Sequence, residues 1–129
     1  MIKITFLGTS CMMPTKERNH IATLLSYENE NILIDCGEGT QRQLRLANIS
    51  PAKISKILIT HWHGDHILGL PGLLQTIAAS NYNKTLEVYG PRKTNYFFNK
   101  IFDMFVVNKF KLKFKIKELN EDSVFFENE

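Results

Sequence analysis

Cysteine is scarce in this chain, and the two that occur, Cys11 and Cys36, form no CxxC pair. A disulfide framework is therefore not expected, and we predict that both thiols are reduced and buried. The chain also lacks any run of about 18 to 20 apolar residues, the length that a membrane-spanning helix needs. Its first residues, MIKITFLGTS, lack the basic, apolar and small-residue order of a secretory signal, so we expect a cytoplasmic protein.

Excess charge is small, because 16 basic and 13 acidic residues give a formal charge of +3. Such a charge is compatible with a phosphate-rich partner and does not require one. Of the 129 residues, 43% are hydrophobic and 22% are charged, which is typical of a globular protein with one small core. No internal repeat, low-complexity segment or linker is visible. We therefore expect a single structural unit over residues 1–129.

The beginning of the chain has the pattern of an antiparallel sheet. Alternation over residues 2–7 predicts a strand, and residues 21–27 and 31–35 predict a hairpin that turns at residues 28–30. The segment between the first two strands, GTSCMMPTKERNH, is long for a loop in a compact domain. Loops of that length more often carry functional residues than serve only as connections.

Helices and strands alternate in the rest of the chain. The predicted elements are a short helix ending at Asn48, a buried strand over residues 56–60, a buried helix over 67–80, a strand over 86–89 and an amphipathic helix over 94–106. Residues 109–117, KFKLKFKIK, predict a last strand with five lysines on one face and apolar side chains on the other. The lysine face is either a solvated surface or a surface that follows phosphates.

Four metal-competent side chains lie within six positions, at His61, His63, Asp65 and His66. They follow a predicted buried strand and precede an apolar helix, which is the rigid context that a hydrolytic metal site requires. Side chains two apart in an extended segment point to the same side, so His61 and His63 can bind one ion while Asp65 and His66 reach a second. Imidazole and carboxylate ligands suit zinc first, with manganese or iron as alternatives. The competing interpretation is a histidine-rich surface loop.

Other residues near this segment have more than one interpretation. Trp62 lies between two of the candidate ligands and is expected to pack against the protein, whereas His20 is isolated and receives no metal assignment. Lys16 and Arg18 lie on a proline-stiffened loop. On residue type alone they form either a solvated charged loop or a phosphate-binding one.

Several motifs together resemble ribonuclease Z, a family of the metallo-β-lactamase superfamily. The segment HWHGDH is an example of the HxHxDH signature of that superfamily, and here it is followed by GLPGL. The segments FLGTS, PTKERN, DCGEGTQRQL and YGP are similar to that family's pattern and occur in the same order. The resemblance implies an α/β (α+β), metallo-β-lactamase-like fold, in which this chain is one half of a four-layer αββα sandwich.

The resemblance also implies an activity and the residues that perform it. The family is a zinc-dependent endoribonuclease that removes the 3′ trailer from precursor tRNA, with two zinc ions, and acts as a homodimer. By position, His61 and His63 would bind the first zinc and Asp65 and His66 the second, with Mn²⁺ as a possible substitute. Asp65 would also act as general base toward the attacking water. Asp35 would orient a metal-binding histidine, or instead cap the turn that follows it.

The resemblance assigns the PTKERN loop to RNA binding, with Lys16, Arg18 and Asn19 placed to sense the 3′ end of the tRNA. It also implies a carboxy-terminal half that is absent here, since no histidine follows His66 and zinc normally has three or four protein ligands. The chain is thus expected to be a truncation, one subunit of a split enzyme completed by a complementing carboxy-terminal half, or a remnant. We expect it to be inactive and of low stability alone. The alternative functions are another hydrolase of the superfamily, such as a phosphodiesterase or an arylsulfatase-like enzyme, and a non-catalytic metal-binding fragment.

Overall fold

The computed structural model describes residues 1–105, 112–120, 122 and 124. Within them, six strands form one sheet whose spatial order follows the chain. The strands are β1 (Ile2–Gly8), β2 (Ala22–Tyr27), β3 (Glu30–Ile34), β4 (Lys56–Leu58), β5 (Thr85–Gly90) and β6 (Lys113–Glu118). The first three strands pair antiparallel, and the pairs from β3 to β6 are parallel. The α/β fold expected from the sequence is therefore confirmed.

Helices connect the parallel strands. They are α1 (Thr40–Leu46), α2 (Gly64–Ile67), α3 (Leu70–Ala79) and α4 (Thr94–Phe105), with a 3₁₀ helix at Pro51–Lys53. Right-handed crossovers between successive parallel strands place their helices on the same face of a sheet, and here α3 contacts both α1 and α4. None of the described helices is long and apolar enough to cross a membrane.

The main core lies between these helices and one face of the sheet. Leu24, Leu33, Ile57 and Val88 are aligned across β2, β3, β4 and β5, and each has an exposed fraction of 0%. Alternation along a strand sends the neighbouring side chains to the opposite face. From β2 to β5, one face of the sheet is therefore buried against the helices.

The opposite face, called the open face below, is covered by no described helix at its β1 edge. Ile2, Ile4 and Phe6 are 65%, 57% and 71% exposed, and the aligned residues of β2 and β3 include half-buried Leu25 and Ile34. Large apolar side chains in a contiguous patch are unusual on a monomer and typically mark a contact surface. From the sequence, this chain is expected to be one half of a four-layer sandwich. A half sandwich would expose such a face.

Some predicted element boundaries were wrong. The strand predicted over residues 56–60 ends at Leu58, and the single helix predicted over 67–80 is divided into α2 and α3. On β6, Lys113, Lys115 and Lys117 are exposed, whereas the part of the predicted strand at residues 109–111 lies outside the described residues. Cys36 is buried as predicted, but Cys11 is exposed because its loop runs over the surface.

Gly69 explains the division between α2 and α3. Its N–H donates to the carbonyl of Cys36 at 2.9 Å, and the N–H of Cys36 donates to the carbonyl of His66 at 2.7 Å. A Cβ atom on Gly69 would lie 2.1 Å from the carbonyl oxygen of Gly37, which no side chain allows. The glycine therefore permits a close backbone approach that ties the HWHGDH segment to the loop after β3.

Candidate metal centre

The candidate ligands lie at the edge of the sheet where β3 and β4 end. Asp35 directly follows β3, and the segment from Thr60 to His66 follows β4, its parallel neighbour. Because parallel strands end at the same edge, residues 25 or more positions apart meet there. This edge is where open α/β sheets typically bind ligands.

Asp35 has the most extensive set of hydrogen bonds at this edge. Its carboxylate accepts from the backbone N–H of Thr60 at 2.8 Å, from the Thr60 hydroxyl at 2.7 Å and from Nδ1 of His66 at 2.7 Å. The residue is buried, at 3% exposure, and has a positive φ of 57°. A buried carboxylate with three donors has a defined orientation, so Asp35 holds both the start of the HWHGDH segment and the ring of His66.

The three histidine rings lie close together. The ring centroids of His61 and His63 are 4.7 Å apart, and those of His61 and His66 are 4.0 Å apart. Since the carboxylate of Asp35 can only accept, Nδ1 of His66 carries the proton. The Thr60 hydroxyl donates to Asp35, so its oxygen is the acceptor for Nδ1 of His61 at 3.1 Å. These contacts leave Nε2 of each ring as the nitrogen that could bind a metal ion.

Asp65 lies in the first turn of α2, and its Oδ2 is 3.5 Å from Nε2 of His66. Its side chain is 11% exposed, so a carboxylate is held at the site with little access to bulk water. Across the described part of the chain, no three metal-competent side chains surround one common position. Nitrogen and oxygen donors of this kind suit a divalent metal ion, which would require further ligands.

A cavity of about 320 Å³ adjoins these residues. Its lining residues are Met12, His20, His63, Gly64, Asp65 and Leu68. The exposed loop between β1 and β2 thus reaches the candidate metal centre through Met12 and His20. A cavity beside metal-competent side chains, with a few polar groups in a largely apolar lining, is where a substrate would bind.

His20 is the site residue that sequence reasoning missed. It is 5% exposed, its Nε2 lies 3.3 Å from the Met12 carbonyl, and its Nδ1 makes no hydrogen bond and lies 4.0 Å from a Glu38 carboxylate oxygen. Thr60 was also missed as a site residue, because its bonds to Asp35 depend on β3 and β4 being neighbours. No local pattern distinguishes either residue.

The predicted RNA-binding residues lie on the same loop but in different environments. Lys16 and Arg18 are exposed on a turn in which the Arg18 N–H donates to the Thr15 hydroxyl at 2.9 Å. Asn19 is half-buried, and its side-chain amide donates to the Glu38 carbonyl at 2.6 Å. The two cations are available to an external ligand, whereas Asn19 joins the loop to the segment before α1.

Trp62 packs against the protein, as predicted from its place between two candidate ligands. Its ring lies 5.2 Å from that of Phe97, and its Nε1 donates to the Thr94 hydroxyl at 3.1 Å.

Nearby, burial raises the pKa of the Cys36 thiol to about 12. Cys36 is therefore a neutral core residue, and a metal ligand or nucleophile at this position is not expected.

Three comparisons identify relatives. A family model described as Anti-Pycsar protein Apyc1 matches residues 2–103. Ribonuclease Z of Methanothermobacter thermautotrophicus is 53% identical over 91 residues, which are 70% of this chain and 30% of the relative. Ribonuclease Z of Nanoarchaeum equitans is 45% identical over 123 residues, which are 95% of this chain and 39% of the relative. The crystal structure of human tRNase Z, short form, superposes with a TM-score of 0.84 at 38% identity, covering 95% of this chain and 47% of that chain.

The chain therefore spans less than half the length of these relatives, and the part of ribonuclease Z that it matches is amino-terminal. The resemblance to ribonuclease Z is confirmed by sequences that are 45% or more identical, and the expected fold by the superposition. The chain belongs to the Anti-Pycsar protein Apyc1 family and is a relative of ribonuclease Z with the metallo-β-lactamase fold.

Proposed function

We propose that this chain is the metal-binding amino-terminal part of an endoribonuclease that removes the 3′ trailer from precursor tRNA. The observation that carries the proposal is the close packing of three histidine rings, one of which, His66, bonds to the carboxylate of Asp35, in a chain whose relatives include ribonuclease Z. The site belongs to a hydrolase fold, and its donors are nitrogen and oxygen. Two zinc ions fit these ligands best, and Mn²⁺ is the alternative.

Each residue has a defined part in this proposal. His61 and His63 would bind one ion through ring nitrogens, and Asp65 and His66 would bind the other. When bound, the ions would lower the pKa of a water molecule and offset the negative charge that develops during phosphodiester hydrolysis. Asp65 would accept the proton of that water, a contribution of roughly 10² to 10⁴ in rate. Asp35 would keep the ring of His66 in place.

The substrate and partners are proposed on the same basis. Lys16 and Arg18 are exposed on a loop that also lines the cavity beside His63, so they can contact phosphates of an RNA bound there. Asn19 supports that contact by joining the loop to the segment before α1. Since each ion lacks ligands, we propose completion by a carboxy-terminal half of the same fold, in a homodimeric, cytoplasmic enzyme. The 129-residue chain alone is expected to be inactive.

A second candidate is a phosphodiesterase of the same fold that acts on another substrate. The matched family model supports this alternative, because it is described as an anti-Pycsar protein and its description names no tRNA. The same four ligands would serve either reaction, since both hydrolyse a phosphodiester. The PTKERN loop and its two exposed cations favour the RNA substrate. A third candidate is a metal-binding fragment without turnover.

The deciding experiment is a chimera in which this chain replaces the matched part of Nanoarchaeum equitans ribonuclease Z. Precursor tRNA with a 3′ trailer and a small chromogenic phosphodiester are assayed with zinc, in the chimera and in its His63→Ala variant. We expect trailer cleavage that His63→Ala lowers at least about 100-fold, because one ion loses a ligand. Cleavage of the small phosphodiester alone would support the second candidate. Zinc binding with neither activity would support the third.

A further inference from the structure

The carboxyl ends of β5 and β6 border a second polar groove, separate from the candidate metal centre. One cavity of about 660 Å³ lies along the first turns of α4, and its lining includes Arg92, Lys93, Tyr96 and Lys100. An adjoining cavity of about 690 Å³ shares Arg92 and continues to Asn120 beyond β6. We call these two cavities together the Arg92 groove. No function described above uses it.

The charge of the Arg92 groove favours an anionic ligand. Arg92, Lys93 and Lys100 supply three cations, whereas the lining acids are Asp103 and Glu118. The carboxylate of Glu118 accepts from the backbone N–H of Asn95 at 3.0 Å, so it is already engaged at the start of α4. Arg92 and Lys93 are both exposed, and an arginine beside a lysine is a common arrangement for contacting successive phosphates.

An aromatic side chain adds a second kind of contact. Tyr96 is 59% exposed, and Nζ of Lys100 lies 5.6 Å from the centre of its ring. Such a large exposed ring beside cations is the arrangement that stacks an unpaired base while the cations contact the backbone. A solvated helix surface does not require an aromatic residue at this position.

The Arg92 groove is connected to the candidate metal centre by packed rings. The ring of Tyr96 lies 5.4 Å from that of Phe97, which lies 5.2 Å from that of Trp62. Trp62 lies between His61 and His63 in the sequence, and its Nε1 bonds to Thr94 at the start of α4. The groove and the metal centre therefore lie along one edge of the sheet. A single extended nucleic-acid strand could contact both.

We infer that the Arg92 groove binds single-stranded RNA, with Arg92 and Lys93 on consecutive phosphates and Tyr96 stacked on a base. This inference rests on the proposed function, since it assigns a path to the RNA that the metal centre would cut. The groove is separate from the PTKERN loop. That loop lies between β1 and β2, whereas the groove is lined by residues that follow β5 and by residues at the end of β6. Its ligand is a flexible strand, because the groove offers an exposed ring for stacking and cations for the backbone.

The test measures RNA binding without cleavage. The full chain, free of metal, is titrated into a fluorescein-labelled oligoribonucleotide of about ten nucleotides, and anisotropy is followed at several salt concentrations. The double variant Arg92→Gln, Lys93→Gln should weaken binding about 10-fold and reduce the salt slope by about 1.4, the value for two phosphate contacts with a single strand. Tyr96→Ala should weaken binding about 5-fold or more and leave the salt slope unchanged.

The matched control is Arg45→Gln, Lys53→Gln, which makes the same charge change on exposed residues near the amino end of β4, away from the groove. Circular dichroism establishes that each variant is folded. Equal weakening in both double variants would mean a general charge effect and would overturn the inference. So would a mononucleotide that competes as well as the oligonucleotide, or no binding by the unaltered chain. Because no cleavage is measured, failure here is distinct from failure of the chimera.

Discussion

Asp35 connects the two parts of the chain that build the candidate metal centre. Its carboxylate has three donors, two of them on Thr60 and one on His66, and its backbone N–H donates to the carbonyl of Leu58 at 2.8 Å. A positive φ is unfavourable for a residue other than glycine and costs roughly 1 to 2 kcal/mol. The hydrogen bonds offset this strain, and their result is one ring orientation for His66.

Replacement of Asp35 by Asn should therefore weaken metal binding without preventing folding. The amide oxygen still accepts from Thr60, but the negative charge that favours the Nδ1–H form of His66 is lost. We expect zinc affinity of the chain to fall about 10- to 100-fold, the usual effect of losing such a partner. Competition with a chromophoric zinc chelator measures this change. The control is Glu38→Gln on an exposed carboxylate, and equal affinities in both variants would contradict the assigned role of Asp35.

Strands β3, β4 and β5 are joined on the open face by a group of charged side chains. Lys56 is 6% exposed, and its Nζ lies 2.7 Å from a carboxylate oxygen of Glu30 and 3.9 Å from one of Glu87. Hydrogen bonds from Lys56 and Ser55 lower the pKa of Glu30 from its ordinary value of 4.5. Burial and the hydrogen bond to Glu87 raise the pKa of Tyr89 to about 12, so its hydroxyl remains a donor. The parallel part of the sheet is thus held by charge as well as by packing.

This group makes stability depend on pH in a definite direction. A lowered carboxyl pKa contributes stability above the unfolded value near 4.5, and the contribution is lost as pH falls through the folded value. Lys56→Met keeps the apolar stem and removes the charge, so it should lower the free energy of unfolding by about 1 to 2 kcal/mol at pH 7. The difference should shrink as pH falls through the lowered folded pKa of Glu30, because that carboxylate then becomes protonated in the original protein as well.

Urea unfolding at pH 7 and below pH 4 measures both effects. Lys53→Met is the control, since Lys53 is exposed on the neighbouring 3₁₀ helix and should change stability by less than about 0.5 kcal/mol. A loss that is the same at both pH values would indicate that it does not come from attraction between Lys56 and ionised carboxylates. In that case the ion pairs with Glu30 and Glu87 would not stabilise the sheet.

The candidate metal centre and the open face are two separate regions of the molecule. Each is incomplete within the described residues. The candidate metal ligands lie at one edge of the sheet, and apolar side chains of β1 are exposed on the open face. Relatives more than twice as long contain the same amino-terminal segment, so the remainder of such a protein can supply both further ligands and a covering layer. The chain alone should have low thermal stability, as its sequence predicts; cooperative melting of the monomer at high temperature would contradict this.

Exposure of the open face can be measured directly. Ile4→Thr combined with Phe6→Thr should reduce binding of the dye ANS by at least about half and reduce self-association, because Thr suits a strand and removes the apolar patch. Met12→Thr with Met13→Thr is the control, since these residues are 81% and 79% exposed on the loop between β1 and β2. Fluorescence and sedimentation provide the two readouts. Equal effects of the two pairs would mean that the open face is not a distinct surface.

Much of the fold follows from local patterns. Alternation predicted the hairpin of β2 and β3, apolar periodicity predicted α4, and the short run KILIT predicted β4. Boundaries were less predictable, because the division between α2 and α3 depends on the contact of Gly69 with the carbonyl of Gly37. The same holds for Cys11, whose exposure depends on the path of a long loop rather than on its own chemistry.

The candidate ligands could be identified by sequence alone, since His61, His63, Asp65 and His66 are close along the chain and all have metal-competent side chains. Tertiary structure decided what surrounds them. Asp35 and Thr60 meet only because β3 and β4 are parallel neighbours, and His20 reaches the cavity beside His63 only because its loop folds back. Spacing along the chain decides which candidate ligands lie near one another, because it is fixed by covalent bonds. Strand pairing decides which distant side chains orient those ligands.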